Sequence, residues 1–319
     1  MAQAHHKNLE LPGDKEQFTG QTHKPKAPTG PAPRLVGEPL PPTGNTASRQ
    51  TALAVIEGPL AAQRDSLTLI GGQAVMLRCH DRYGFAADTM DADFAITPQL
   101  VSDDPNIEEA LLTAGFQPRN PDRPGLWGRY PVTDPVSGRV VFTEQIDLDC
   151  PMALAGATSP KRRSVPALAG HGKHATGTAV GLELAAFDRD LMNVPDLTDP
   201  SHSVTMWVAG QAGLMCAKGY KIGERIFDTG RFVRSKDYID LFLLMDSGDP
   251  ARVRSVFDQY RRHPAIGASV RQGAVYLSKI ISDETVWGRC AEAVNSRVPA
   301  AALAGLRETW RPVFGSPGR

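Results

Sequence analysis

LTLIGGQAVMLRCHDRYGFAADTMDADFAI, residues 67–96, decides the fold. LTLIGG reads as a short apolar strand closed by the pair Gly71–Gly72. QAVMLRCHDRYG reads as a helix with Ala74, Met76 and Leu77 on or near one face. TMDADFAI reads as the next strand, where Asp91 and Asp93, two apart, share a side and Phe94 and Ile96 supply apolar contacts. Alone, a glycine pair is a turn and Asp-x-Asp a solvated strand edge. Together and in this order they describe chemistry. Glycine lets the backbone approach a triphosphate, and the amides opening a helix face phosphate oxygens. Two carboxylates on one face repel unless cations lie between them, and magnesium takes hard oxygen ligands shared with substrate phosphates. A third carboxylate on a neighbouring strand would complete a two-metal site. The stretch GRVVFTEQIDLDC (138–150) offers Asp147 and Asp149, both opposite to Ile146 and Leu148.

Outward from this centre, residues 1–48 are polar and rich in proline and glycine, and read as a disordered arm. TALAVIEGPLAAQ (51–63) has helical spacing, and NIEEALLTAGF (106–116) is a helix closed by Gly115. Residues 151–176 are irregular and carry Lys161-Arg162-Arg163. GTAVGLELAAF (177–187) and VTMWVA (204–209) read as short strands. From Gln211 onward every segment is helical: 211–227, 235–245, 249–262, 266–281, 284–294 and 301–310. The expected fold is α+β, a small mixed sheet with flanking helices over 49–209 followed by a helical domain over 210–319.

Composition narrows the function classes. The 319 residues carry 35 basic and 35 acidic side chains, so any nucleic-acid role needs a local patch. Arg231, Arg234 and Lys236, Arg261-Arg262-His263, and the 161–163 cluster are such patches, although most charge clusters are simply solvated. Cys79, Cys150, Cys216 and Cys290 are scattered without a Cys-x-x-Cys pair, which argues against a zinc site or a disulfide framework. His171 and His174 have ligand spacing but no matching carboxylates. The four tryptophans read as packing. There is no signal-peptide core and no run of about 18 apolar residues, so a cytoplasmic chain without a membrane span is expected.

Lys218, Lys221, Ile222 and Arg225 fall on one helix stripe that could face a polyphosphate, or could be salt-bridged to Asp237 and Asp240. The two halves together resemble the polymerase-beta-like nucleotidyltransferases, and within them the AbiEii (abortive infection, type IV toxin) branch. The first signature is the glycine pair, a helix and Thr89-Met90-Asp91-Ala92-Asp93. The second is Lys218 with Arg225 seven residues on, then Lys236-Asp237-Tyr238-Ile239-Asp240-Leu241. The resemblance spans about residues 66–246. It implies that Asp91, Asp93 and Asp147 hold Mg2+, with Asp147 a base for the acceptor hydroxyl. Thr89, Gly71, Gly72, Lys218 and Arg225 would serve the nucleotide, and Asp240 would complete the site. It further implies transfer of NMP from an NTP to an acceptor such as the tRNA 3′ end, growth arrest, and a cognate antitoxin protein. A protein hydroxyl, a small molecule, or a non-catalytic nucleotide- or RNA-binding module are the alternatives. Three departures stand out: Asp149 competes with Asp147, Ala92 is smaller than the aliphatic residue common there, and the 151–176 insertion is long.

Overall fold

The computed structural model describes residues 43–79, 82–84, 88–134, 138–156, 168–294 and 297–314. The fold is α+β. Its strands are β1 (Leu67–Leu69), β2 (Ala92–Ile96), β3 (Gln117–Pro118), β4 (Leu126–Thr133), β5 (Val140–Pro151), β6 (Gly177–Ala179), β7 (Arg189–Pro195) and β8 (Ser203–Ala209). The sheet runs β3-β4-β5-β2-β1-β8-β7, with β6 pairing β5 off that path. Three pairs are parallel, β1 with β8, β2 with β5 and β5 with β6. The two acid-bearing strands are therefore interior neighbours.

The helices α1 (Thr43–Glu57), α2 (Gly71–Arg78) and α3 (Ile107–Thr113) belong to the sheet half. Then α4 (Gln211–Gly223), α5 (Ser235–Ser247), α6 (Pro250–Tyr260), α7 (Gly267–Ser282), α8 (Glu284–Val294) and α9 (Ala300–Phe314) complete the chain. Helix α1 lies across β5, β2 and β8. Its Leu53, Val55 and Ile56 are buried, each contributing roughly 1.5–3 kcal/mol. Helix α2 touches β2 on one side and α4 and α5 on the other, so it couples the two halves. Asn106 caps α3 by accepting from Glu109 N, and Gly115 closes it at φ +85°. Asp249 and Pro250 open α6 as a cap and a first-turn proline.

Several expectations need correction. Residues 43–48 do not belong to an arm: they form the first turns of α1, where Asn45 and Ser48 are fully buried. Polar composition misleads there because those groups hydrogen-bond into the interior. Residues 1–42, and the basic cluster 161–163, lie outside the described residues. Of GTAVGLELAAF, only Gly177–Ala179 is strand. Glu183–Ala186 is a 3-10 turn, because the Glu183 carboxylate turns inward to accept from Gly181 N at 2.7 Å and Ser269 Oγ at 2.6 Å. Strands β4 and β7 add to the expected sheet. Gly128 and Pro131 disguise β4, and Pro195 and a mostly solvated face disguise β7, which is the sheet's edge. Asp91 sits immediately before β2 rather than within it. Among the described residues no helix is long and apolar enough to cross a membrane.

Candidate metal and phosphate site

Parallel pairing of β2 with β5 sets Asp93 opposite Asp147. Asp91, just upstream, is oriented by Thr89, whose Oγ1 donates to Asp91 Oδ1 at 3.1 Å. One carboxylate oxygen from each of Asp91, Asp93 and Asp147 lies within 4.8 Å of the others. Oxygens on opposite sides of one ion with ligand distances of about 2.0–2.1 Å sit roughly 4.2 Å apart, so the three carboxylates are within reach of shared cations. A donor set of carboxylate oxygens alone suits Mg2+ or Mn2+ rather than zinc. Asp149 shares the face of Asp147 but pairs with Gly177 on β6, and is not one of the three.

The electrostatics describe a charge deficit. Burial, then the neighbouring charges of Asp91 and Asp147, pushes the Asp93 carboxyl well above its usual range, against the cations of Lys221 and Lys236. Burial pushes Asp147 up to about 7, with the Arg119 guanidinium opposing and Asp91 reinforcing. Arg119 pairs with Asp147 and also donates to Gln145 Oε1. Arg119, at the end of β3, was absent from the sequence reading, as was Arg123, whose charge also acts on Asp147. Neither belongs to a periodic motif.

The glycine pair has a second role beyond phosphate approach. Gly71 adopts φ +65°, and a Cβ there would overlap the Asp93 carboxylate. A Cβ on Gly72 would press on Thr89 Cβ at 3.0 Å. The pair therefore clears space for the acidic strand while leaving the first amides of α2 without intrahelical acceptors.

A buried polar chain ties α1 to this corner. Arg49 Nε donates to Gln73 Oε1 at 2.7 Å, and Gln73 Nε2 donates to Asn45 O at 2.8 Å and Ser48 Oγ at 2.6 Å. Asn45 Oδ1 in turn accepts from Thr89 N at 2.9 Å. Arg49 is 2% exposed, and burial lowers its guanidinium to about 10 with Asp196 opposing, so it stays charged. The signal for this chain was Gln73, the one amide side chain in an otherwise apolar helix turn.

The helical half delivers a second cluster. Lys218 Nζ donates to Asp240 Oδ2, and to Asp237 Oδ1 at 3.4 Å; Lys221 Nζ reaches Asp237 Oδ1 at 2.9 Å. Burial alone would lower Lys218, but Asp240 and Asp237 outweigh it and hold the ammonium above its usual range. Burial alone would raise Asp237, but Lys218 and Lys221 hold it below its usual range. The stripe read at 218, 221 and 225 thus divides: Lys218 is a buried cation bracketed by acids, while the Lys221 side chain is 39% exposed, pairs with Asp237 and pulls on Asp93 by its charge. Arg225 lies in the π-turn Glu224–Asp228 and donates to Phe232 O at 3.4 Å, holding the following loop.

His171 is not part of this site: its Nδ1 accepts from Ile107 N at 3.4 Å, opening α3. Cys150, Cys216 and Cys290 are buried thiols pushed up by burial, in keeping with packing. No protein-family model matches the chain, and no curated protein matches it.

Proposed function

We propose that this chain is a metal-dependent nucleotidyltransferase of the AbiEii type, moving a nucleoside monophosphate from an NTP to an RNA 3′ end such as that of tRNA. The observation that carries the reading is the convergence of Asp91, Asp93 and Asp147 behind the Gly71–Gly72 turn. Three part-buried carboxylates in mutual repulsion, with a helix N-terminus beside them, are a poor structural device and a good receptor for cations and a polyphosphate. Bound divalent ions would neutralise the phosphates and stabilise the charge developing as pyrophosphate leaves.

The chain's own residues would then position and neutralise. Asp91 and Asp93 hold the cations from the β2 side, and Asp147 from the β5 side, where it is also placed to accept the acceptor hydroxyl's proton. Gly71, Gly72 and Thr89 line the phosphate approach. Lys221 and Lys236, both acting on Asp93, face the polyphosphate charge. Lys218 and Asp240, with Asp237, set where those cations stand. The same likeness extends to growth arrest in the cytoplasm, where NTP and tRNA reside, countered by an antitoxin protein.

The test is incubation of purified protein with total tRNA, magnesium and each α-labelled NTP in turn, beside Asp93→Ala. Label entering tRNA with the wild type alone supports the reading and names the donor. Pyrophosphate release without RNA label moves the acceptor to a protein hydroxyl or small molecule. Magnesium-dependent NTP binding without turnover leaves a binding module, and no NTP binding at all sinks the proposal.

A further inference from the structure

Phe232 is 81% exposed, the most exposed large apolar side chain among the described residues. It belongs to residues 229–236, TGRFVRSK, which hold three cations and no acid in a chain of zero net charge. Arg231 and Arg234 are exposed and make no side-chain hydrogen bond or ion pair among the described residues. The loop is nonetheless anchored: Arg231 N donates to Arg225 O at 2.6 Å, Arg225 Nη1 donates to Phe232 O, and Asp237 N donates to Arg234 O at 3.0 Å. Val233 beside it is buried. The ring is therefore presented by a fixed backbone, not stranded on a loose one. The loop leads directly into α5, whose Asp237 pairs with Lys218 and Lys221.

An exposed aromatic ring with an unpaired arginine just before it and another two residues after it has a specific complement. Unpaired bases stack on aromatic rings whatever their identity, and phosphates take the flanking cations. An apolar protein partner would not call for Arg231 and Arg234 in the same loop as the ring. We propose that Phe232, Arg231 and Arg234 form the platform on which the unpaired 3′ end of an RNA acceptor docks. This rests on the nucleotidyltransferase reading and deepens it by assigning the acceptor's surface.

The experiment uses the full chain and a labelled RNA hairpin, with a short unpaired 3′ tail or blunt-ended, followed by fluorescence anisotropy. Thermal melting checks that each variant is folded, and magnesium-dependent NTP binding is followed in parallel. Phe232→Ala should weaken binding of the tailed hairpin about tenfold, spare the blunt one, and leave NTP binding unchanged, while Phe232→Tyr restores affinity to within about twofold. Arg231→Ala and Arg234→Ala should each flatten the salt dependence by roughly 0.7 in log–log slope. Wild-type affinity in Phe232→Ala overturns the platform and gives the ring to a protein contact. Equal loss on both hairpins overturns it too, since the ring would then not read an unpaired base. Absence of RNA binding with NTP binding intact overturns the platform and spares the nucleotidyltransferase reading. Absence of both overturns both.

Discussion

The carboxylates of Asp93 and Asp147 are held toward their protonated forms by burial and by neighbouring carboxylates, which fixes the sign of two measurable effects. An aspartate whose folded pKa lies above its unfolded value near 3.9 binds more protons folded than unfolded. Metal-free stability therefore falls as pH rises from about 4 toward the Asp147 value of about 7. Asp237, shifted the other way, gives up its contribution only as pH falls below about 4, outside that window. Cation binding requires the deprotonated acids, so it releases protons and tightens with pH. The melting-temperature gain from Mn2+ over EDTA should widen between pH 5.5 and 7.5, a window that brackets the Asp147 value of about 7. A gain independent of pH would remove the acids from the cation site. In Asp93→Asn the repulsion goes while the shape stays. Metal-free melting should rise by about 2 °C, and transfer should fall on the order of 10²-fold or more, as expected when several kcal/mol of charge stabilisation are lost. A melting point that drops instead would mean Asp93 is a structural acid.

Helix α1 is the element whose importance the composition hid. Through Arg49, Gln73 and Asn45 it holds the backbone of Thr89, and through Thr89 the Asp91 carboxylate. Gln73→Ala leaves the charged Arg49 side chain short of a buried acceptor and Asn45 O short of a donor. It should cost about 3 kcal/mol by denaturant titration, whereas Gln50→Ala, on the exposed side of α1, should cost under about 0.5 kcal/mol. Equal effects would mean that the chain does not transmit to the site. This element also marks the limit of what the sequence discloses. Glycine pair, helix, acidic strand and the later helices were legible because their periodicity and order are local. The Arg49–Gln73 and Arg119–Asp147 pairs, 24 and 28 residues apart, depend on which strands become neighbours, which no local pattern states. Which of Asp147 and Asp149 stands beside Asp93 is likewise a matter of register: Asp147 pairs with Asp93 on β2, while Asp149 meets Gly177 on β6.

At the scale of the whole molecule, one hydrophobic cluster runs from Ala52 in α1 through the sheet to Phe314 in α9. Its halves are bridged by α2, packed on β2 and on α4 and α5, and by the Glu183–Ala186 turn, packed on α4 and α7; beside the α4–α5 contact lies the charged cluster of Lys218, Lys221, Asp237 and Asp240. These ion pairs join α4 to α5 within the helical half, and what crosses to the sheet is the pull of Lys221 and Lys236 on the buried Asp93 carboxylate, which separating the halves would remove. Trp127 in β4 and Trp310 in α9, both 0% exposed, report on the two halves separately. In urea, variants that keep only Trp127 or only Trp310 should show coincident midpoints, each also coincident with loss of helical circular dichroism. Lys218→Met strands Asp240, while Asp237 keeps Lys221, and should lower both midpoints together by an amount equivalent to about 3 kcal/mol. If the Trp310 probe unfolded at its own midpoint and Lys218→Met moved only that one, the helical half would be an independent domain. The site would then be completed only when the two domains close on each other.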